Sequence, residues 1–430
     1  MTSASRPPPT GWQLRAYLWL THLAGPLARL ILKRRQARGR EDPARWREKL
    51  GQASQPRPEG TLVWLHAVGL GEVLALRGLI TAMAAERADL RFLVTSGTLV
   101  SARVFAANLP PRTLHQFLPL DLPAYVARFL DHWRPDLSVW AEQDIWPGAV
   151  AATARRGIPL ALVNARMNAA AFVRRRRFGG LYGDLLARFS LISAQDQATA
   201  VHLRALCPAA LPEVRGSLKA AAPELACDAG ELSRLGATLN GRSPWLAASC
   251  HAEDEEVALA AHEVRLQADP ASLLILAPRD IGRADAIADV LQVRGLAFAR
   301  RSTGQVPTAD QSVWLTDTFG EMGLWYRLVP VALIGGSFGP VEGHNPWEPA
   351  ALGAAILHGP RVANFAADYD LLDSANAALE VTATGLAGAL ANPSLPDMAA
   401  RARALSAAAR DSLAPLARDL LALMNKGGQS

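Results

Sequence analysis

The chain has 430 residues, half of them hydrophobic, with 45 Lys and Arg against 39 Asp and Glu and a formal net charge of +6. Mean hydropathy of +0.09 and a pI near 9.6 exclude disorder, and the length suits about two or three domains with a large core. Cys207, Cys227 and Cys250 lie far apart with no CxxC pair, which argues against a disulfide framework or a zinc site and fits a reducing compartment.

Gln13 to Leu32 is apolar and Leu-rich but interrupted by Arg15, His22, Pro26 and Arg29, and KRRQARGR follows it. The charges stand on the wrong side for a secretory signal, and the run is too interrupted for a spanning helix. It fits an amphipathic, monotopic segment lying on an anionic membrane face, or an amphipathic helix packed on the domain. Residues 1–44 are expected to be this membrane-associating segment, with an apolar helix in it from Gln13 to Leu32.

Thr61 to Leu65 reads as a strand feeding HAVGLGEVLALRGLI, a glycine turn and then a helix from Val73. The GxGxxG spacing is absent, so this is not a dinucleotide fingerprint. Glu72 stands at the loop-to-helix junction, where it can face a cleft or simply complement the helix dipole. Further strands are expected at Arg91–Thr95, Thr113–Leu118, Leu137–Ala141, Ile158–Val163, Leu191–Ala194 and Val214–Gly216. Ser96, Gly97 and Thr98 follow the second strand at a helix entry. Glu142, Asp144, Trp146 and Pro147 follow the fourth, Asn164 and Arg166 the fifth, and Ser217 to Lys219 the seventh. Residues 172–177 form a basic stretch suited to an anionic acceptor or a solvated face. The Arg runs are short and not interleaved with aromatics, so no nucleic-acid partner is expected.

A linker with one helix spans about Ala220 to Pro244. Strands then recur at Trp245–Ser249, Leu273–Ala277, Leu296–Arg300 and Val313–Thr316. An acidic helix start, Glu253 to Glu256, follows His251. Asp317 to Tyr326 reads as loop then helix. Val331 to Pro360 reads as strand, glycine turn, loop, helix and strand, with Gly335 and Gly336 offering backbone N–H groups to a ligand. Pro349 opens the helix, expected to run through Ala355, and Glu348 beside it suits a ribose. Leu379–Val381 is strand-like, and Asp397 to Met424 is expected to be one helix. The alternation predicts two doubly wound α/β domains, 45–222 and 223–400, facing a cleft, with residues 401–430 as helix and tail.

HAVGLGE, LPLDLP, AEQDIWP, NAR, GSLK, LAPR, GEMGLWY and GGSF with GHNPWEP occur in this order over nearly the whole chain. Together they resemble the bacterial 3-deoxy-D-manno-octulosonic acid (Kdo) transferases, GT-B glycosyltransferases with two Rossmann-like domains. The resemblance implies Kdo transfer from CMP-Kdo to a lipid A precursor in lipopolysaccharide biosynthesis, at the cytoplasmic side of the inner membrane. It implies Glu72 as the general base and Glu142 and Lys219 as transition-state stabilisers. It implies donor contacts from Pro278 and Arg279, from Phe319, Gly320 and Glu321, and from Asn345, Pro346, Trp347 and Glu348. CMP-Kdo enters as substrate, and neither cofactor nor metal is implied. A carboxylate base suits hydroxyl attack on an anomeric carbon, and Arg and Lys suit a departing phosphate.

The chain departs from the family pattern at five places. Gly69 replaces a serine, PRDIGR replaces PRHxER at Asp280 and Gly282, Gly148 replaces an asparagine, Asn168 a serine and Glu342 a glycine. A CMP-sugar transferase with another donor or acceptor, and a catalytically silent nucleotide-binding paralogue, are the competing readings. Retention of Glu72 argues against the silent one.

Overall fold

The computed structural model describes residues 10–427 except 100, 101, 103, 104, 107, 108, 143, 222 and 240. The first nine residues of the expected N-terminal segment, and parts of the helix after Thr98, therefore lie outside the described residues. The chain divides into two compact units, Met1–Ala222 with Ala409–Ser430, and Pro223–Ala408.

Unit 1 carries a parallel sheet ordered β3-β2-β1-β4-β5-β6-β7. Its strands are β1 (Leu62–His66), β2 (Arg91–Ser96), β3 (Thr113–Phe117), β4 (Leu137–Ala141), β5 (Leu160–Ala165), β6 (Leu191–Ala194) and β7 (Glu213–Val214). β1 and β4 are buried at every position, as expected of strands covered on both faces. Alternation along β1 feeds two cores. Leu62 and Trp64 join one core with Leu14, Phe129 and Val150; Val63 and Leu65 join the other. The helices are α1 (Trp12–Leu23), α2 (Gly25–Ala37), α3 (Leu70–Glu86), α4 (Pro123–Trp133), α5 (Pro147–Arg155), α6 (Ala169–Arg176), α7 (Gly179–Leu186) and α8 (Gln197–Leu206).

The single apolar N-terminal helix expected from Gln13 to Leu32 is not borne out. Gly25 and Pro26 break the run into α1 and α2, and none of the described helices is long and apolar enough to cross a membrane. α1 is docked on unit 1: Leu14 is fully buried, the Tyr17 hydroxyl donates to Asp121 at 2.8 Å, and Gln13 accepts the Leu181 N–H at 2.6 Å.

Unit 2 repeats the plan, with a parallel sheet ordered β10-β11-β9-β8-β12-β13-β14. Its strands are β8 (Ser243–Cys250), β9 (Ser272–Pro278), β10 (Phe298–Arg300), β11 (Val313–Leu315), β12 (Val331–Ile334), β13 (Ala355–His358) and β14 (Ala378–Glu380). Its helices are α9 (Ala229–Thr238), α10 (Ala252–Ala268), α11 (Ala284–Val293), α12 (Met322–Leu328), α13 (Trp347–Leu352), α14 (Ala366–Ser374), α15 (Leu386–Ala389) and α16 (Leu395–Asp411). The helix expected to continue through Ala355 stops at Leu352. Gly353 follows at φ +83°, a left-handed cap, and Ala355 already belongs to β13.

The tail is two helices rather than one. The chain ends α16 at Asp411 and begins α17 (Leu413–Gly427) after Ser412. Leu413, Leu416, Ala417, Leu420 and Leu421 of α17 complete the core of unit 1 with Val73, Leu76 and Ile80 of α3. Arg418 pairs with Glu86 at 3.1 Å and Asp419 with Arg215 at 2.6 Å.

Candidate functional site

In unit 1, β1 and β4 are neighbours while β2 and β3 lie beyond β1. The winding reverses there, and such switch points bind ligands at the carboxyl ends of the strands. The sequence delivers its acids to this place. Glu72 follows β1 in the first turn of α3, Glu142 follows β4 directly, and Lys219 comes in after β7. Lys219 Nζ lies 3.1 Å from Glu142 Oε1, both side chains being nearly buried. The Asn164 amide donates to the same oxygen at 3.2 Å. Burial pushes the Glu142 carboxyl up to about 7; Lys219 opposes this, and the nearby Glu72 charge adds to it. Burial likewise raises Asp144, again with help from Glu72 and against Arg175. The three residues expected to carry the chemistry are thus one electrostatic cluster.

Glu72 is partly buried. Its Oε2 accepts the N–H groups of Val68 and Gly69 at 3.1 and 3.2 Å, capping its own helix in the manner of a capping box. Gly69 has no side chain to share that task. A Cβ at position 69 would stand 3.0 Å from Glu72 Oε1, so the departure from serine leaves the carboxylate room to fold back.

In unit 2 the switch point lies between β8 and β12. His251 follows β8 and the glycine turn follows β12. Here the structure corrects an expectation. The N–H groups of the turn are not free: Gly336 donates to Asp254 Oδ2 at 2.7 Å, Ser337 and Phe338 donate to Oδ1 at 3.1 Å each, and Gly335 donates to the Ala248 carbonyl at 2.8 Å. The glycines are needed for close approach, since a Cβ at Gly335 would sit 2.5 Å from the Ser249 carbonyl oxygen, and Gly336 has φ +70°. Asp254, the clamp of this turn, hid in the sequence as one of four acids at a helix start. The signal that could have found it is the family's glycine turn itself, whose N–H groups need an acceptor.

Beside the turn, His251 Nε2 and His344 Nε2 lie 3.0 Å apart with the rings stacked. Burial, then His251 and Arg279, hold His344 down at about 4. Burial raises the Glu348 carboxyl, while Asn345, at 3.4 Å, and Arg279 lower it. Arg279, His344, Asn345 and Glu348 are therefore electrostatically linked, and Pro278 just before Arg279 ends β9. The other expected donor residues stand differently. Trp347 is 2% exposed, and its indole donates to Asp368 at 2.8 Å, so its side chain holds the loop. Pro346 caps α13. Glu321 is paired with Arg301 at 2.6 Å, which lowers its pKa. Phe319 is 82% exposed, and Gly320 turns the chain at φ +89°. The geometry joins neither Phe319 nor Glu321 to the Arg279 group.

The remaining departures are local substitutions in turns. Asn168 caps α6 through the Ala171 N–H at 2.9 Å, the task a serine would perform. Asp280 accepts the Gly282 N–H at 3.0 Å in an Asx turn, where a Cβ on residue 282 would come within 3.2 Å of it. Asp121 receives the N–H groups of Gly148 and Ala149 at 2.7 Å each, and a Cβ on residue 148 would lie 2.7 Å from its Oδ1. Glu342 has φ +66°, the conformation that favours the family's glycine, and pairs with Arg361 at 2.6 Å.

Residues 44–222 match the family model described as 3-deoxy-D-manno-octulosonic-acid transferase (kdotransferase). The chain is 35% identical over 373 residues to the probable mitochondrial 3-deoxy-D-manno-octulosonic acid transferase of Arabidopsis thaliana, spanning 84% of this chain and 83% of that protein. It is 31% identical to the 3-deoxy-D-manno-octulosonic acid transferase of Haemophilus influenzae, over 78% of each. Among solved structures, the UDP-GlcNAc 2-epimerase of Neisseria meningitidis superposes with a TM-score of 0.54 at 12% identity, over 85% of this chain and all of that one. A glycosyltransferase from Rickettsia africae superposes at 0.51 and 10% identity, over 87% of this chain and all of that one. These two likenesses are of fold alone.

Proposed function

The chain belongs to the 3-deoxy-D-manno-octulosonic acid (Kdo) transferases, and from that membership we propose that it moves Kdo from CMP-Kdo onto a lipid A precursor in lipopolysaccharide biosynthesis. The observation that carries the reading is the charge cluster of unit 1: a reachable carboxylate, Glu72, beside the buried pair Glu142 and Lys219. Glu72 takes the proton of the acceptor hydroxyl as it attacks the anomeric carbon. Glu142 and Lys219 stabilise charge that develops in that step. On unit 2, Arg279 faces the phosphate of the donor, and Glu348 with Asn345 takes the ribose. For Phe319, Gly320 and Glu321 the donor role rests on the family resemblance alone, Glu321 being paired with Arg301.

Membrane attachment belongs to the same reading. Trp12, Trp19, Leu20, Leu23, Leu27, Leu30 and Ile31 are exposed on α1 and α2, and Lys33, Arg34, Arg35, Arg38 and Arg40 follow in sequence. Exposed Trp and Leu with a basic flank suit an anionic lipid surface, here the cytoplasmic side of the inner membrane. The departures from the family pattern are absorbed in local turns, which favours the ordinary donor over an altered one.

The test is transfer from CMP-Kdo, generated in situ, to tetraacylated lipid A precursor, read by mass spectrometry. Product heavier by one or two Kdo is expected. Absence of product with CMP still bound would point to another donor or acceptor. Absence of both would point to the silent paralogue.

A further inference from the structure

β5 is interrupted where it reaches the site. Its register against β6 shifts between Leu162 and Ala165, and Asn164 within the interruption has φ +55°. Such bulges re-aim a side chain, and asparagine tolerates the left-handed conformation better than most residues. The result is an amide that is 1% exposed and bonded at both its nitrogen and its oxygen. The Leu218 N–H, which can only donate, reaches Asn164 Oδ1 at 2.9 Å. That fixes the NH2 group toward Glu142 Oε1, at 3.2 Å. Gln195 Nε2 holds the Asn164 carbonyl at 3.1 Å, and the Glu142 N–H donates to the Val163 carbonyl at 3.0 Å. Glu142 is itself left-handed, φ +60°. Two neighbouring strained residues persist only where their surroundings over-determine them.

We propose that Asn164 is a positioning residue for the Glu142–Lys219 pair, its one amide gripping the Glu142 carboxylate on one side and the backbone immediately before Lys219 on the other. This rests on the reading of that pair as charged stabilisers. Lys219 follows Leu218, so the Leu218 bond fixes where the lysine stem starts. Glu142 is faced by Lys219, by Glu72 of α3 and by Arg166 just after β5. Asn164 is a neutral donor among these charges, and donation to the ionised form favours it.

The substitutions follow from the backbone. Asn164→Gly removes both side-chain bonds and suits φ +55° without strain, whereas alanine would add strain to the loss. Asn164→Asp is nearly isosteric and keeps the acceptor for Leu218, but it loses the donor and sets a second carboxylate against Glu142. The Glu142 carboxyl is followed by 13C NMR of Glu-labelled full-length protein, with Glu142→Gln giving the assignment. In both variants its titration midpoint is expected to rise. Turnover in Kdo transfer should fall about 10- to 100-fold with both KM values nearly unchanged, and its acid limb should move to higher pH. A folded Asn164→Asp protein with the midpoint and the acid limb of the wild type would overturn the role. Should the wild type transfer no Kdo, the titration still decides. A displaced midpoint keeps the positioning role while the reading of function fails, and an undisplaced one ends it.

Discussion

Glu142 is the residue whose surroundings say most. Its carboxyl titrates near 7 in the folded chain because burial opposes its charge more than Lys219 supports it. An unfolded Glu titrates near 4.3. Between those values the folded protein holds the extra proton, so this group's contribution to stability falls as pH rises through that window and is greatest below it. Glu142→Gln should abolish that part of the pH dependence, which thermal melts of both proteins from pH 4.5 to 8 would check; parallel profiles would contradict it. Glu72 is a different case, a partly buried acid whose Oε2 accepts two N–H groups of its own loop. Glu72→Ala should eliminate transfer and leave CMP binding intact, since a base acts in the chemical step; titration calorimetry with CMP alongside the transfer assay separates the two.

At the scale of elements, the strands were legible and the helices less so. β4, β6 and β12 lie where their apolar runs place them, because a strand buried on both faces needs a continuous run and little else. The helix after Glu348 ends early because Gly353 adopts a left-handed cap, which a run of alanines conceals. The break between α16 and α17 falls at Ser412, and its mark in the sequence is Pro415, which is tolerated in the first turn of α17 but not in the interior of one long helix. The acids of the site were legible because each lies just past a strand's carboxyl end, Glu142 directly after β4 and Glu72 in the first turn of the helix that follows β1. Asp254 and Asn164 were not assigned their work, since a clamp that serves backbone N–H groups needs coordinates to be seen. α17 offers a measurable test of its packing. Leu420 is fully buried against α3, so Leu420→Ala should cost about 2–5 kcal/mol, read as a lowered urea midpoint. An unchanged midpoint would mean that the helix does not hold unit 1 together.

Across the whole molecule, the net charge of +6 and the exposed apolar residues of α1 and α2 predict salt-sensitive attachment to lipid. Vesicles with anionic head groups should retain the protein, neutral vesicles less so, and raised salt should weaken the difference. Replacing Trp19, Leu23 and Leu27 with serine should release it without unfolding it, because these side chains are exposed; flotation assays with far-UV circular dichroism would show both. Retention of the triple variant on vesicles would remove α1 and α2 from the attachment. The return of the last helix to unit 1 has a bearing on how the protein is made. The 15 residues of α17 complete a core begun at Val63, yet the ribosome supplies them only after all of unit 2. At about 5–20 residues per second, the α3 face waits uncovered for roughly 15–65 s while the intervening chain is synthesised. The nascent protein would therefore complete its second unit before its first, and the waiting apolar face is where a chaperone would be needed.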